Sequence, residues 1–117
     1  MSTVERGRTA ETLAAAHLEQ QGLTIIDRNW RNRWCELDLV ARSPAGIHFI
    51  EVKYRRRADW GTGFEHITYD KTNRLRRAAL AWNQAHGHYG AYQIDIVSIT
   101  GELAAPTIAY EPNIIIE

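Results

Sequence analysis

The chain has 117 residues, about the length of one typical domain, and 44% of them are hydrophobic, enough for a modest core. Its single cysteine, Cys35, excludes an intramolecular disulfide and any metal site built from several thiolates. Because no segment resembles a signal peptide or reaches the roughly 18 apolar residues of a membrane span, we expect a soluble cytoplasmic protein.

The formal net charge of zero hides an uneven distribution of charge. All 14 Lys and Arg residues lie in residues 1–77, which carry an excess of four positive charges, and residues 78–117 carry four negative charges. Twelve of the 14 are Arg, whose planar guanidinium suits bidentate contacts with phosphate. Nucleic acid is therefore a candidate partner, although charge alone favours arginines that simply solvate the surface.

The first predicted element is a helix in "TAETLAAAHLEQQG", where alanine and leucine dominate. Thr9 can cap its beginning and Gly22 is well placed to end it. Helical spacing places Glu11 on one face with three apolar residues, Ala14, Ala15 and Leu18. The helix therefore brings a carboxylate to the edge of the face that should pack on a sheet.

Three strand candidates follow, "LTIIDRNWR", "WCELDLVAR" and "GIHFIEVKYR", all rich in branched and aromatic residues. The short links at Asn32-Arg33 and in "SPAG" favour turns, so we expect an antiparallel meander. The next segment, "GTGFEHITYD", has two glycines around a threonine and no periodicity, which is typical of a mobile loop.

A second helix is predicted from Lys71 to about His86, with Asp70 as its cap. Its apolar stripe consists of Leu75, Ala78, Ala79 and Trp82, and Arg74 and Arg77 lie beside that stripe. "YQIDIVSIT" should form a further strand, and "APTIAYEPNIII" an edge strand. The predicted fold is a single α/β domain over residues 1–117, with a central mixed sheet flanked by helices in the order α-β-β-β-α-β.

Strand alternation places charged residues on common faces, because successive side chains point to opposite sides of a sheet. Glu36 and Asp38 should share one face, with Leu37 and Leu39 on the other. In the third strand, a common face is predicted for Phe49, Glu51, Lys53 and Arg55. If these strands pair, one face gathers Asp38, Glu51 and Lys53, and the helix that carries Glu11 can cover it.

Such a carboxylate cluster is costly, since adjacent carboxylates repel one another and partial burial disfavours their charge. A divalent cation would remove that cost, and Mg²⁺ is typically held by one or two carboxylates together with waters and phosphates. Without further information, a structural role is as well supported as a metal site. In that alternative, Asp38 and Glu51 form a partly buried salt bridge with Lys53 or a nearby arginine. Asp95, between two isoleucines, is expected to have an edge or structural role.

The strings "ELDLVA" and "FIEVKYR", preceded by a helical "AE" and by "GLTIIDRNWR", resemble the YraN-like family of bacterial proteins. That family is similar to archaeal Holliday junction resolvases and to the restriction-endonuclease-like nuclease superfamily, whose signature is an Asp followed by Glu-x-Lys. The resemblance runs from about Gly7 to Ile99. One departure is Cys35, which stands where the family usually has glycine before Glu-Leu-Asp.

The resemblance implies a restriction-endonuclease-like fold and a metal site for Mg²⁺ or Mn²⁺. By position, Asp38 and Glu51 match the metal-binding pair, and the carbonyl of Val52 matches a further ligand. Lys53 matches the lysine that orients or activates the attacking water, and Glu11 matches the helical glutamate that completes the acidic cluster. The likeness to resolvases also implies a homodimer.

Residues that would contact nucleic acid follow from the same placement. Arg55, Arg56 and Arg57 come directly after Glu-x-Lys, where a phosphate backbone would approach. Lys71 and Arg74 are weaker candidates at the beginning of the second helix, where the helix N-terminus favours anions. Three tryptophans could stack on bases, Trp30, Trp34 and Trp60. Core packing or turn anchoring is the more common use of tryptophan, and of these three we expect only Trp60 to be exposed.

These observations favour a metal-dependent endonuclease that hydrolyses DNA phosphodiester bonds, on branched or otherwise structured DNA. The first alternative keeps the fold without catalysis, as a module that binds nucleic acid or docks a protein. Another alternative is that the basic half of the chain docks an acidic protein. Phosphate contacts would be recognised by an affinity that falls steeply and log-linearly with salt.

Overall fold

A computed structural model describes residues 1–56 and 69–114, apart from the side chain of Tyr69. Its elements follow the order α-β-β-β-α-β-β. They are α1 (Thr3–Gln20), β1 (Thr24–Arg31), β2 (Glu36–Ser43), β3 (Gly46–Arg55), α2 (Tyr69–His86), β4 (Tyr92–Thr100) and β5 (Thr107–Glu111). The predicted α/β class and all of the predicted strands, including the edge strand near the C-terminus, are confirmed.

The strands form one five-stranded mixed sheet in the order β1-β2-β3-β4-β5. The first three strands form the predicted antiparallel meander, β4 runs parallel to β3, and β5 returns antiparallel to β4. The parallel pair needs a crossover connection, which α2 supplies. β3 therefore lies at the centre of the sheet.

The two helices cover opposite faces of the sheet. α1 buries Ala14 and Leu18 against Ile50 and Val97, and we call this side of the sheet the α1 face. α2 buries its predicted stripe, Leu75, Ala78, Ala79 and Trp82, in a second cluster with Phe49 and Ile94 on the α2 face. Alternation in β3 therefore places Glu51 and Lys53 on the α2 face with Phe49.

The first helix begins seven residues earlier than the sequence predicts. Ser2 is its N-cap and forms a capping box with Glu5, whereas Thr9 lies within the helix and donates its hydroxyl hydrogen to the carbonyl of Glu5. The capping prediction for Thr9 was wrong because the Ser-x-x-Glu signature satisfies the first free N–H groups better. The predicted end at Gly22 is confirmed, since this residue has φ +93° just after the C-cap Gln21.

One prediction for the second helix also differs from the structure. Asp70 is in the first turn of α2 rather than at its cap, because the helix begins at Tyr69. An acid in the first turn still interacts favourably with the helix dipole. Arg57, Trp60 and most of the predicted loop "GTGFEHITYD" lie outside the described residues, since residues 57–68 are not described.

Buried polar groups join the β2–β3 turn to β4 and β5. The fully buried Asp95 carboxylate lies within 2.6–2.8 Å of four groups, on His48, Gln93, Tyr110 and Asn113. His48 continues the chain through Nε2 to the Ser43 hydroxyl at 2.6 Å. Ser43, His48 and Asp95 follow the order of a serine-hydrolase relay, but His48 is only 4% exposed. The network links β2, β3, β4 and β5 in the interior, and the expected structural role of Asp95 stays a prediction.

Within the described part of the chain, neither helix is long and apolar enough to cross a membrane.

Candidate active site

The sheet opens into a fork between β2 and β3. Their ladder runs from Ser43–Gly46 to Leu39–Ile50 and stops there, although both strands continue. Beyond this point a side chain replaces the backbone carbonyl as the hydrogen-bond acceptor: Oδ2 of Asp38 accepts the N–H of Val52 at 2.8 Å. Asp38 therefore lies in the fork itself, between the separating strands.

Alternation along β2 breaks at the same residue. Leu39 belongs to the cluster on the α1 face, whereas Leu37 belongs to the cluster on the α2 face. The prediction that Leu37 and Leu39 share a face was therefore wrong. Asn29, which stands opposite Asp38 in β1, has the left-handed value φ +50°, so the paired strands are distorted together.

Glu51 lies beside the fork on the α2 face and contacts two lysines. Its Oε1 is 3.7 Å from Nζ of Lys53 and 3.1 Å from Nζ of Lys71 in α2. All three side chains are largely buried, at 17–22% exposure. The structure therefore brings together the predicted Glu51 and Lys53, and it adds Lys71 as a second cation.

The sequence suggested that the helix that carries Glu11 covers the face on which Glu51 lies. In the structure it does not. α1 packs on the opposite face, and α2 is the helix beside Glu51. Glu11 still acts on the site, since its charge helps to raise the pKa of Asp38. The fork explains this, because a carboxylate placed between two strands can be approached from both sides of the sheet.

The electrostatics of the fork disfavour a charged Asp38. Burial raises the pKa of Asp38 from 3.8 to about 7, and the Glu51 charge adds to this effect, followed by smaller contributions from Glu11 and Glu36. The hydrogen bond from Val52 acts in the opposite direction but does not compensate. Asp38 therefore lies where an added positive charge would be stabilising.

The donor chemistry of the fork fits a divalent cation such as Mg²⁺ or Mn²⁺. Asp38 and Glu51 offer carboxylate oxygens, and Val52 lies against Asp38 through its backbone. Among the described residues, no three His, Cys, Asp or Glu side chains are grouped closely enough to hold a metal ion. A cation here would therefore depend on two carboxylates, with water and phosphate oxygens completing its shell.

One polar residue near Lys53 was not singled out from the sequence. Ser98 pairs with Lys53 in the parallel β3–β4 ladder. Its side chain is on the α2 face, because strand alternation gives it the same face as Ile94 and Ile96. It is 3% exposed, and its Oγ has no hydrogen-bond partner within the part of the chain that the structure describes. A serine among inward-facing isoleucines was the available signal in "IDIVSI".

A groove of about 620 Å³ leads to Glu51 from the end of the β1–β2 hairpin. One wall is the turn from Arg31 to Glu36, and the other is the beginning of α2. Its cationic side chains are Arg31, Arg33, Lys71, Arg74 and Arg77, against two acidic ones, Glu36 and Glu51. The groove thus places Lys71 and Arg74 on the same lining as Glu51, together with three further arginines.

The arginines after Glu-x-Lys are placed differently. Arg55 is half-buried, and its Nε is buried without a hydrogen-bond partner among the described residues. Arg56 is exposed and lies 3.6 Å from Glu102. Neither contributes to the walls of the groove, and Arg57 is outside the described residues. Their predicted phosphate contacts stay predictions.

Cys35 does not impose unusual backbone geometry on the turn. Asn29 and Asn113 are the non-glycine residues with positive φ in the described ranges. The turn is instead closed by Asn32, whose side-chain oxygen accepts the N–H groups of Trp34 and Cys35 at 2.9 and 2.7 Å. The departure from glycine at this position is thus accommodated.

The fold and the fork define an α/β protein that carries a carboxylate pair and a lysine at the centre of a mixed sheet. Residues 10–99 match the model of the uncharacterised protein family UPF0102, and the chain belongs to this family. The predicted YraN-like resemblance is thereby confirmed. The chain is 42% identical over 96 residues to a UPF0102 protein of Stutzerimonas stutzeri, covering 80% of each chain.

Two further relatives extend the comparison. A UPF0102 protein of Leifsonia xyli subsp. xyli is 38% identical over 113 residues, which covers 95% of this chain and 96% of the relative. A UPF0102 protein of Rhodococcus opacus is 40% identical over 94 residues, with 80% of each chain covered. The similarity to the Leifsonia protein includes nearly the whole chain, so the strands that form the fork lie within it.

Proposed function

We propose that this protein is a metal-dependent endonuclease that hydrolyses phosphodiester bonds in DNA. The observation that carries the proposal is the placement of Asp38 and Glu51 at the fork, with Lys53 beside Glu51 and a cationic groove that reaches Glu51. A polyanionic substrate suits the groove, and the raised pKa of Asp38 marks a position where a cation is favoured.

In this proposal Asp38 and Glu51 hold the cation, and the carbonyl of Val52 is a further candidate ligand. When bound, the divalent ion polarises a phosphate oxygen and lowers the pKa of a bound water. The N–H of Val52 holds the Asp38 carboxylate in position in the fork. Glu11 contributes negative charge from the side of α1, which strengthens the preference for a cation.

Lys53 has the role of orienting the attacking water and stabilising charge that develops on the phosphate. Its side chain is 20% exposed, so its charge acts in a partly desolvated place where electrostatic effects are stronger than in water. Lys71 shares the contact with Glu51 and lines the groove. This position suits it to contact a phosphate next to the scissile one.

One observation favours the non-catalytic alternative. The Glu51 carboxylate already contacts two lysines. In addition, the described ranges contain no group of three His, Cys, Asp or Glu side chains that could hold a metal ion. An ion-pair cluster of this kind can be purely structural. In that case the groove would bind nucleic acid, or dock an acidic protein, without cutting anything.

The test is a cleavage assay of the purified protein with linear duplex, single-stranded, flapped and four-way-junction DNA, in Mg²⁺, Mn²⁺ or EDTA. Asp38→Asn and Lys53→Met are compared with the wild type, and Glu19→Gln on the exposed side of α1 is the control. We expect metal-dependent cutting that falls by about 10²-fold or more in both site variants, as is typical when an electrostatic catalytic group is removed.

Folding of each variant is checked by circular dichroism and thermal unfolding, so that a loss of activity is not a loss of structure. Glu19→Gln should cut like the wild type. Cutting that survives both Asp38→Asn and Lys53→Met, or no cutting with any substrate and metal, would contradict the nuclease proposal and favour the binding module. The oligomeric state, for which the resolvase likeness implies a dimer, is measured by sedimentation in the same preparation.

A further inference from the structure

Trp34 stands at the end of the β1–β2 hairpin with 81% of its surface exposed. Core packing or turn anchoring was expected for it, and this is wrong for its side chain. Trp30, in contrast, is half-buried and packs on the cluster beneath α2. The turn is held by the backbone of Trp34, whose N–H is donated to Asn32, so the indole is not needed to close it.

The exposed indole lies in a charged setting. The guanidinium of Arg33 is 5.5 Å from the centroid of the Trp34 ring, which is within the range of a cation–π contact. Both residues line the groove that ends at Glu51, with Arg74 and Arg77 on the opposite wall. A large exposed aromatic surface thus lies at the border of a cationic groove.

Aromatic rings next to cationic grooves suit unpaired nucleotides. A base inside a duplex has both faces covered by its neighbours, so an indole can stack only on a base that is unpaired or terminal. The groove volume of about 620 Å³ is within the range of pockets that enclose a small ligand. Arginine side chains on both walls can contact the phosphates on either side of that base.

We propose that Trp34 and the arginines of this groove form a binding site for single-stranded DNA, in which an unpaired base stacks on the Trp34 indole. This inference rests on the proposed function only for the choice of DNA as ligand, and it concerns binding rather than cutting. It narrows the substrate class to DNA with unpaired nucleotides next to the scissile bond, such as a single strand or a flap.

Binding is measured in EDTA by fluorescence anisotropy, with a labelled oligothymidine and a long blunt-ended duplex of two complementary strands as probes. Trp34→Ala, Trp34→Phe and wild type are compared. Tyr89→Ala is the matched control, because Tyr89 is an 86% exposed aromatic outside the groove. Trp34→Ala should weaken oligothymidine binding about fivefold or more, since stacking contributes ~1 kcal/mol or more per base. Trp34→Phe should retain most of the affinity.

Several outcomes are distinguishable. Equal oligothymidine affinity of wild type and Trp34→Ala would overturn the inference, as would an equal loss for both probes or a similar loss in Tyr89→Ala. Intrinsic tryptophan quenching by the oligonucleotide should be largely lost in Trp34→Phe. If the wild type cuts no DNA but binding to oligothymidine depends on Trp34, the nuclease proposal fails and the binding site stands. If the wild type cuts DNA but oligothymidine binding does not depend on Trp34, the binding-site inference fails and the nuclease proposal stands.

Discussion

The Asp38 carboxylate accepts the backbone N–H of Val52 at 2.8 Å, where Asp38 lies one residue and Val52 two residues beyond the last β2–β3 ladder pair, Leu39–Ile50. A side chain thus replaces the backbone at the point where two strands separate. The hydrogen bond holds the Asp38 carboxylate in a fixed position, where the negative charges of Glu51 and Glu11 act on it and raise its pKa. It also allows both carboxylates to lie near the centre of the sheet without a regular ladder between them.

The pH dependence of stability should report on the Asp38 carboxyl. Its pKa is raised from 3.8 to about 7 in the folded state, so the folded protein binds this proton more tightly than the unfolded chain does. Stability should therefore fall as pH rises from about 4 through 7. Asp38→Asn removes this dependence and should be more stable than wild type at pH 8 by about 1–3 kcal/mol.

Urea unfolding at pH 4, 6 and 8 measures this difference without added metal. Glu111→Gln, a change of an exposed carboxylate on β5, serves as the control and should keep the pH dependence of the wild type. An unchanged slope in Asp38→Asn would mean that the carboxyl titrates near its ordinary pKa in the folded protein.

Divalent metal should stabilise the wild type and not Asp38→Asn. A cation that binds only the folded state raises the free energy of unfolding by RT ln(1 + [M]/Kd), which is about 2.7 kcal/mol at one hundred times Kd. The effect should grow from pH 5 to pH 8 as Asp38 loses its proton. Thermal unfolding with 0–20 mM Mg²⁺ or Mn²⁺, concentrations of roughly the range needed for weak sites, measures it. Equal shifts in both proteins would place metal binding elsewhere.

The salt dependence of the affinity for single-stranded DNA should report the number of phosphate contacts that the groove makes. Each phosphate contact on single-stranded DNA contributes about 0.7 to the slope of log K against log salt. Arg74→Ala and Arg77→Ala should each lower the slope by roughly that amount. The control is Arg42→Ala, an exposed arginine of β2 that does not line the groove. Anisotropy titrations at four salt concentrations suffice, and slopes that match the control would argue against phosphate contacts here.

The Asp95 network should be important for stability and separable from activity. Asp95→Asn places an amide donor where four groups approach the carboxylate, so at least one buried hydrogen bond is lost. We expect a loss of about 2–4 kcal/mol in the free energy of unfolding. Tyr110→Phe removes one of these bonds and should cost about 1 kcal/mol. Urea unfolding measures both, and a cost below that of Tyr110→Phe for Asp95→Asn would contradict the network's role.

The sequence by itself determined the elements and their pairing in outline. Alternating branched residues in "GIHFIEVKYR" and short links on either side predict a meander, and the alanine and leucine spacing predicts both helices. The grouping of Glu51 with Lys53 followed from alternation within one strand, because residues two apart share a face where a strand keeps its regular alternation, as β3 does here and β2 does not at Asp38.

Only the tertiary structure decided how the strands depart from regular geometry and which helix covers which face. The fork at Asp38, the left-handed Asn29 and the contact of Lys71 with Glu51 depend on groups far apart in the chain. The exposure of Trp34 depends on the hairpin extending beyond the core, which its local sequence does not reveal. Local patterns fix periodicity, whereas long-range packing fixes where that periodicity breaks.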